Sequence, residues 1–380
     1  MADFWQDPIP TLHWLADDAA CLHRQLEQMT AVRPVVLVLP CHAREIGTPA
    51  LAGILAALRS VRWLERIVIG LDQAGPEECS ALQRMTAGLP AEILWLDGPG
   101  WLHTIASIRS AGVPLPASGK GRNVWLCLGW VLRHCRVEMV ALHDCDIAAY
   151  QSSLLARLVY PVAHPQFGFR FCKGYYARFS RQLHGRLTRR LFAPLVNCLP
   201  TVKDCTGSAA LLKHFRYPLA GEIAFDRRLA ARLRLSPGWA LETSVLLEMV
   251  RMLPVEQYCQ SALTTAYDHR HHPLAAAGAG TGLLDAAVEI AALLLSRLGN
   301  AEDSPETLRE RFLSESSVLD RRYAADAAIN GLDFDAAAEA EATRIFVGCL
   351  DAAASRASET LLPAWEDLPD IALPTPDGIA

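Results

Sequence analysis

The sequence predicts an α/β fold: a mostly parallel, doubly wound β-sheet with helices on both faces, followed by a helical appendage. Between residues 35 and 147, short apolar runs of strand length alternate four times with longer segments of helix length. This is the pattern of a sheet built with right-handed crossovers. Polar residues directly follow the strands, where ligands bind in such folds. Apolar residues make up 51% of the 380 residues, enough for a large core, which excludes a disordered chain.

The elements are expected in the following order. An amphipathic helix over residues 11–29 precedes the sheet, and Pro40 stops the first strand. Pro49 and Pro76 begin the helices that follow the first two strands. The strands cover residues 35–39, 67–71, 92–96 and 139–142. Later elements are a helix over residues 222–233, another from about residue 243, a helical region after residue 274 and an extended tail from residue 362.

Composition excludes several classes of protein. The net charge is −5, from 36 basic and 41 acidic residues without a long block of one sign, so bulk nucleic-acid binding is not expected. The most apolar segment, residues 283–298, contains Asp285 and Glu289 and is too short and too charged to span a bilayer. The eleven cysteines form no C-x-x-C pair and no N-terminal signal peptide precedes them, which predicts reduced thiols in a cytoplasmic protein.

Two aspartates stand at the end of the fourth strand. Asp144 and Asp146 flank Cys145 directly after the apolar run 139–142. Carboxylates at the carboxyl end of an interior strand are hard oxygen donors, suited to Mg²⁺ or Mn²⁺ that also holds phosphate oxygens. The alternative is a pair of loop aspartates that cap the next element.

Other polar segments are expected at the same edge of the sheet, namely residues 40–45, Asp72 and Gly119-Lys120-Gly121. Neither a GxGxxG nor a GxxxxGK[ST] motif occurs, which argues against a dinucleotide fold and a P-loop. The Gly-Lys-Gly run is either a flexible turn or a loop that presents a lysine beside a nucleotide.

Residues 169–190 carry seven cationic side chains and no acidic one. Such a field in an acidic protein indicates an anionic ligand, although interleaved aromatic residues leave single-stranded nucleic acid as an alternative. A solvated helix face is the simplest explanation for Arg189 and Arg190. Further along, Glu242 lies at a helix start, where it can act as a cap. His269 belongs to a histidine cluster that supplies either a metal ligand or a surface turn.

These segments together resemble the GT-A glycosyltransferases, and within them the retaining glucosyl-3-phosphoglycerate synthases and the similar mannosyl-3-phosphoglycerate synthases. The resemblance covers about residues 35–298. Residues 40–45 resemble the family's nucleobase loop, Gly119–Gly121 its Gly-Lys-Gly loop, Asp144–Asp146 its Asp-x-Asp motif, Gly185–Thr188 its Gly-Arg-Val-Thr acceptor loop, residues 219–222 and 237–242 its sugar-binding segments, and residues 269–274 its metal-binding histidine stretch.

The resemblance implies a GT-A fold, a homodimer and a role for each matched residue. Glu242 and Asp146 are the implied catalytic residues, and Asp146 and His269 the implied ligands of Mg²⁺ or Mn²⁺. The donor nucleotide would contact Pro40, His42, Glu45, Asp72, Gly119, Lys120 and Asp144. The sugar would contact Gly221, Glu222 and Glu242, and the acceptor Gly185, Arg186, Leu187 and Thr188.

The implied domains are an N-terminal helix (residues 1–30), a GT-A catalytic domain (31–275), a helical C-terminal region (276–362) and a tail (363–380). The catalytic domain would consist of a nucleotide-binding half, about residues 31–150, and an acceptor-binding half, about residues 151–275.

Three departures from the family pattern stand out. Cys145 replaces a small polar residue, and the second strand ends in Asp72-Gln73 where the family has an Asp-Ser-Gly-Ser run. Arg189 and Arg190 stand where the family has an acid-containing run.

The leading functional prediction is retaining, metal-dependent transfer of glucose from UDP-, GDP- or ADP-glucose to 3-phosphoglycerate, without nucleic acid or membrane as partner. Transfer of mannose from GDP-mannose, or transfer to unphosphorylated glycerate, would use the same residues. A front-face displacement is favoured over a double displacement through Glu242. A metal phosphohydrolase built on His143-Asp144 is disfavoured, because His143 closes a strand and such sites lie on helices. A sugar-nucleotide sensor or a nucleic-acid binder is the non-enzyme alternative.

Overall fold

A mixed β-sheet forms the centre of the computed structural model, which describes residues 6–16, 18–199, 208–264, 282–299, 304–356 and 360–375. Within these ranges the sheet has eight strands in the order β1-β8-β6-β7-β5-β2-β3-β4. Strand β7 is antiparallel to both of its neighbours, whereas the other pairings are parallel. The strands are β1 (Thr11–Leu12), β2 (Val35–His42), β3 (Leu64–Asp72), β4 (Ala91–Trp95), β5 (Met139–Leu142), β6 (Phe171–Tyr175), β7 (Ile223–Asp226) and β8 (Tyr258–Ala262).

Helices cover both faces of the sheet and form the C-terminal region. Prolines begin several of them, and the Thr48 and Ser304 side chains cap two of those helices. The helices are α1 (Ala19–Thr30), α2 (Pro49–Leu58), α3 (Pro76–Thr86), α4 (Pro99–Ser110), α5 (Lys120–His134), α6 (Ser152–Ala163), α7 (Ala193–Cys198), α8 (Ser208–Leu212), α9 (Arg227–Arg232), α10 (Leu241–Met252), α11 (Gly282–Leu298), α12 (Pro305–Ile329) and α13 (Ala336–Ala354). A π-helical turn, Leu187–Phe192, leads directly into α7.

The central strands are apolar because both of their faces are buried. Successive side chains of a strand point to opposite faces, so Val36 and Val38 join one core with Trp125 of α5. Leu37 and Leu39 join a second core, which includes residues of α2 and α6. The prediction of a mostly parallel α/β sheet with helices on both faces is therefore confirmed.

The first expected helix is shorter than predicted. Helix α1 begins at Ala19, where the Asp18 side chain accepts a hydrogen bond from the Cys21 backbone N–H. Thr11 and Leu12 instead form an edge strand beside β8. Pairing with a strand distant in sequence explains the difference: the Gln260 N–H donates to Pro10 O at 2.9 Å, and the Gln260 side chain donates to the Thr11 hydroxyl at 2.9 Å.

Strand β2 continues through Pro40 to His42, so the prediction that Pro40 stops this strand is wrong. Beyond Val38 the ladder between β2 and β5 has ended, while the pairing with β3 runs on to His42. Proline is tolerated at position 40 because this part of β2 pairs with β3 alone, so no hydrogen bond to a second strand is lost with the missing N–H.

Strands β1, β6, β7 and β8 are not among the four strands predicted from the sequence. The antiparallel β7 replaces the start of the helix expected over residues 222–233. Strand β7 has only four residues, and its ladders run to β5 and β6. Pairing on both sides stabilises a segment that is too short to show a period of its own.

The C-terminal helices α11, α12 and α13 lie where a helical region was predicted. The expected tail is extended, but its residues 360–375 pack against the core: Leu362 pairs with Leu235, and Trp365 stacks on Trp125 with ring centroids 4.3 Å apart. None of the helices in the described ranges is long and apolar enough to cross a membrane.

Candidate functional site

The ends of the central strands bring polar residues of distant segments to one edge of the sheet. His42 and Asp72 are paired neighbours at the ends of β2 and β3. Strand β5, on the other side of β2, ends at Leu142, directly before His143 and Asp144. Parallel strands place their carboxyl ends at the same edge, which explains why residues so far apart in sequence meet here.

The Gly-Lys-Gly loop is built against the segment before α10. The backbone N–H of Arg122 donates to Pro237 O at 2.8 Å, and the N–H of Gly121 donates to Gly238 O at 3.3 Å. A Cβ at Gly121 would collide with the carbonyl oxygen of Ser236, and Gly119 has a φ of +146°. Only glycine permits this close approach of two backbones.

Lys120 bridges two predicted site residues. Its ammonium lies 2.6 Å from Asp144 Oδ1 and 2.7 Å from Glu242 Oε1. Burial by itself would lower the pKa of Lys120, but the two carboxylates outweigh it and hold this pKa well above its ordinary value. Lys120 is therefore a fixed cation that joins the start of α5, the end of β5 and the start of α10.

The segment before β7 packs behind Asp144. A Cβ at Gly221 would lie 2.6 Å from Asp144 Oδ2, so only glycine fits beside this carboxylate. Glu222 is fully buried, and its Oε2 accepts a hydrogen bond of 2.7 Å from the Tyr176 hydroxyl. Gly221 therefore lies in contact with the Asp144 carboxylate, whereas the Glu222 side chain is buried beneath the surface of the site.

Lys173 belongs to the same cluster, although no role was predicted for it from the sequence. It is fully buried on β6, and its ammonium donates to the carbonyl oxygen of Ala220. Burial lowers the pKa of Lys173 to about 8, although Glu242 and Glu222 act in the opposite direction. The run Phe-Cys-Lys-Gly-Tyr has no charged residue except Lys173. Such a run is typical of a buried strand, and it was the sequence signal from which a buried lysine could have been predicted.

Asp146 shares the end of β5 with Asp144, while Cys145 between them points into the core. Asp144 and Asp146 are both partly exposed, whereas Cys145 packs among the core residues. His269, the other predicted metal ligand, lies outside the described residues. In the ranges that the structure describes, no three His, Cys, Asp or Glu side chains gather into a metal-binding group.

The donor chemistry of this edge nevertheless fits a hard divalent cation. Mg²⁺ is bound in many phosphate-transferring sites by one or two carboxylates, with phosphate oxygens and water completing the shell. Asp146 can provide one such carboxylate, and the neighbouring Asp144 can bind a water on the metal, so a larger protein cluster is not required.

His143 does not form a metal site with Asp144. It is fully buried, and burial lowers its pKa to about 4, so the ring is neutral at pH 7. Its Nδ1 donates to Asp144 O at 2.9 Å, and its Nε2 accepts from the Tyr150 hydroxyl at 3.1 Å. Both ring nitrogens are therefore engaged within the protein, which argues against the phosphohydrolase alternative.

The predicted nucleobase loop and Asp72 lie on the β2–β3 side of the edge. After Pro40 and His42, residues Ala43–Glu45 form one turn of 3₁₀ helix, and Glu45 is buried with Arg44 Nε 3.1 Å from its Oε1. Asp72 accepts from the buried Arg122 at 2.9 Å and from the Gly119 N–H at 3.5 Å. Asp72 thus supports the Gly-Lys-Gly loop directly.

The predicted acceptor loop begins the π-helical turn. Gly185 has a φ of +76°, which favours glycine. Arg186 is partly exposed, and no ion pair or hydrogen bond joins its guanidinium to another described residue. Leu187 and Thr188, the next predicted acceptor residues, are partly exposed as well.

Arg189 and Arg190 are buried, so the interpretation as a solvated helix face is wrong. Both arginines pair with Glu339 of α13, and Arg190 also pairs with Asp320 of α12. The error has a clear cause: the partner Glu339 lies about 150 residues further along the chain, beyond the reach of any local pattern.

No family model matches the sequence, but individual proteins do. The chain is 36% identical to the glucosyl-3-phosphoglycerate synthase of Persephonella marina, over 96% of this chain and 94% of the relative. It is 30% identical to the protein of the same name from Methanococcoides burtonii, over 96% of this chain and 93% of the relative.

A solved structure shares the fold. It is the glucosyl-3-phosphoglycerate synthase of Mycobacterium tuberculosis in complex with Mn²⁺, UDP-glucose and phosphoglyceric acid, with a TM-score of 0.58 and 21% identity. The superposition covers 78% of this chain and 89% of that structure. With relatives that match along nearly their whole length and a shared GT-A fold, this chain belongs to the glucosyl-3-phosphoglycerate synthase family of glycosyltransferases.

Proposed function

We propose that this protein transfers glucose from an NDP-glucose to 3-phosphoglycerate, with retention at the anomeric carbon and with Mg²⁺ or Mn²⁺ as cofactor. The names of two relatives and the ligands of the solved Mycobacterium tuberculosis structure support this substrate pair. The observation that carries the proposal is the arrangement of Lys120 between Asp144 and Glu242.

Lys120 is suited to the leaving group of the donor. When the glycosidic bond breaks, negative charge grows on the nucleoside diphosphate, and a protonated lysine at that point stabilises it. The raised pKa keeps Lys120 charged throughout the neutral range. Asp144 and Glu242 balance its charge in the structure. Since an ammonium has three N–H donors, it could contact an incoming diphosphate while it keeps its pair with Glu242.

Asp146, with His269 as a further ligand, would hold the divalent cation, and Asp144 would bind the ribose or a water on the metal. A bound metal would supply Lewis-acid stabilisation of the diphosphate charge. The donor loop, comprising residues 40–45 with Asp72 and Gly119, would hold the nucleotide beside it.

Glu242 would bind the hydroxyl groups of the sugar. Lys120 donates to one oxygen of Glu242 at 2.7 Å, which fixes the orientation of the carboxylate. An ion-paired carboxylate is a weaker nucleophile than a free one, which favours front-face displacement over a covalent intermediate on Glu242. In that route the acceptor hydroxyl attacks the anomeric carbon on the face that the diphosphate leaves, and a phosphate oxygen takes its proton. The configuration is then retained.

The acceptor would be held by Gly185, Arg186, Leu187 and Thr188. Arg186 offers a planar fork of donors for a phosphate or carboxylate, and its guanidinium has no protein partner among the described residues. Binding there would bring the acceptor hydroxyl to the sugar as an effectively intramolecular reactant.

Assembly, location and domain division complete the proposal. We expect a cytoplasmic homodimer in which residues 31–150 bind the nucleotide and residues 151–275 bind the acceptor, with the helical region after residue 276 appended. Light scattering at micromolar concentration tests the dimer, and a monomer mass contradicts it.

A donor-by-acceptor matrix tests the reaction. UDP-, GDP- and ADP-glucose and GDP-mannose are each combined with 3-phosphoglycerate and with glycerate, in Mg²⁺, in Mn²⁺ and in EDTA, and the anomeric configuration of each product is read by NMR. We expect an α-glucoside of 3-phosphoglycerate that forms only with metal. Exclusive mannosyl transfer, exclusive use of free glycerate, an inverted product or full activity in EDTA would each contradict the corresponding part of the proposal.

A further inference from the structure

The C-terminal helices make direct contact with the segment that leads into the acceptor loop. This segment, residues 178–185, folds back on itself: Phe179 pairs with Leu183, and the His184 N–H donates to Arg178 O at 2.9 Å. From the connection between α12 and α13, the Asp333 N–H donates to Arg181 O at 2.7 Å. The appendage therefore extends the hydrogen bonding of this turn.

Arg189 joins the turn to α13 through its whole guanidinium group. Its Nη1 and Nη2 contact the two carboxylate oxygens of Glu339 at 3.2 and 3.1 Å. Its Nε donates to His184 O at 2.8 Å, and Nη2 also donates to Leu183 O at 3.1 Å. One buried side chain thus fixes the two carbonyl groups that precede Gly185.

The neighbourhood of this arginine leaves it little freedom. Its guanidinium carbon lies 5.0 Å from the ring centroid of Tyr323 on α12, a cation–π distance. Its own backbone N–H donates to Gly185 O at 2.9 Å. Arg189 therefore holds all three carbonyl groups that directly precede Arg186, those of Leu183, His184 and Gly185.

Glu339 balances two buried arginines, because Arg190 donates to the same carboxylate. Burial by itself would raise the pKa of Glu339, but the hydrogen bonds from Arg189 and the two positive charges hold this pKa below its ordinary value. The carboxylate stays ionised at neutral pH and keeps the bidentate geometry that carboxylate and guanidinium share.

We propose that Glu339 is a positioning residue for the acceptor site: through Arg189 it fixes the conformation of residues 183–188, so that Gly185 and Arg186 meet the anionic groups of the acceptor. The inference rests on the proposed function of this loop. It assigns the support of the acceptor site in part to the C-terminal helical region.

A purely structural ion pair predicts a different result from a positioning one. Loss of a structural contact lowers the melting temperature and the fraction of active enzyme, but folded molecules keep their KM values. Loss of a positioning contact raises the KM for the acceptor selectively, since a misplacement of about 1 Å at a binding group costs on the order of 10²-fold in rate.

The test compares Glu339→Gln with Glu341→Gln. Glu341 lies on the same helix, and its partner Arg344 is exposed, so its variant controls for the loss of one charge from α13. The KM values for 3-phosphoglycerate and for the sugar nucleotide are measured for both variants, with acceptor binding to the UDP–Mg²⁺ enzyme by calorimetry. We expect Glu339→Gln to weaken acceptor binding at least about tenfold, with donor KM and the control variant unchanged.

A second variant covers the case in which Glu339→Gln does not fold. Arg189→Lys keeps the positive charge beside Glu339 but cannot donate to Glu339, His184 O and Leu183 O together, so it should raise the acceptor KM as well. Unchanged acceptor binding in either folded variant, or equal losses for donor and acceptor, would overturn the positioning role. If the wild-type enzyme itself binds no 3-phosphoglycerate, the proposed function fails first, and this outcome is visible without any variant.

Discussion

Replacement of Lys120 by methionine tests the centre of the proposed site. Methionine keeps much of the length and removes the charge. At an effective dielectric constant of about 20, an ammonium and a phosphate oxygen about 3 Å apart attract each other by roughly 5 kcal/mol. Part of this is offset, because in the free enzyme the same ammonium already contacts Asp144 and Glu242 at 2.6 and 2.7 Å.

We therefore expect a net loss of about 3–4 kcal/mol of transition-state stabilisation, which corresponds to a fall in kcat of about 10²–10³-fold. The assay is steady-state kinetics at saturating acceptor and Mg²⁺, with circular dichroism to confirm folding. Lys120→Arg, which keeps the charge, should retain more activity than Lys120→Met.

Arg133→Met serves as the matched control, because Arg133 is a cation of the same helix at its other end. Its partner Asp370 is 83% exposed, so solvent screens that pair and little change is expected. The reasoning is refuted if Lys120→Met keeps more than about a tenth of the wild-type kcat, or if only the KM for the acceptor changes.

Three further outcomes are expected. Asp146→Asn should reduce turnover by orders of magnitude and shift the metal dependence to higher Mg²⁺ concentration, while the melting temperature stays near that of the wild type. Arg186→Ala should weaken the binding of 3-phosphoglycerate by about 2–4 kcal/mol, measured as a higher acceptor KM, with little change in the donor KM. Arg181→Ala removes an exposed side chain of the same segment and should leave both KM values unchanged. Burial lowers the pKa of Lys173 from 10.5 to about 8 in the folded protein. Between pH 8 and 10.5 the unfolded chain therefore binds more protons at this group than the folded protein does. Stability should rise by roughly 3 kcal/mol from this group as pH increases from 8 to 10.5, and Lys173→Met should lack that rise in urea titrations.

Strands β2 to β5, half of the eight in the described sheet, could be predicted because the central ones among them are buried on both faces. Such strands are continuous apolar runs, and the polar residues that follow them lie at the same edge by the geometry of parallel pairing. Lys120 and Asp144 come together in the structure at the edge where these patterns placed them, and Glu242, whose role was implied by the family resemblance, joins them there.

What could not be predicted depends on partners that are distant in sequence. Strand β7 is stable because β5 and β6 pair with it on both sides, not because of its own four residues. Arg189 reads as a surface residue until Glu339 is known to neutralise it. Lys173 shows the same effect, since a buried lysine becomes understandable only with Ala220 O and the nearby carboxylates in place.

The docking of residues 360–375 on helix α5 has a consequence for biosynthesis. The indole N–H groups of Trp125 and Trp130 donate to Pro363 O and Pro374 O at 2.8 and 2.9 Å, on the same helix whose first residue is Lys120. These carbonyl groups leave the ribosome more than 200 residues after their tryptophan partners. Until then, one side of the lysine-bearing helix lacks its cover, and we expect α5 to be open to proteases and to chaperones that bind apolar surface. The helix that carries the central cation of the site therefore reaches its final packing only after residues 360–375 have been synthesised.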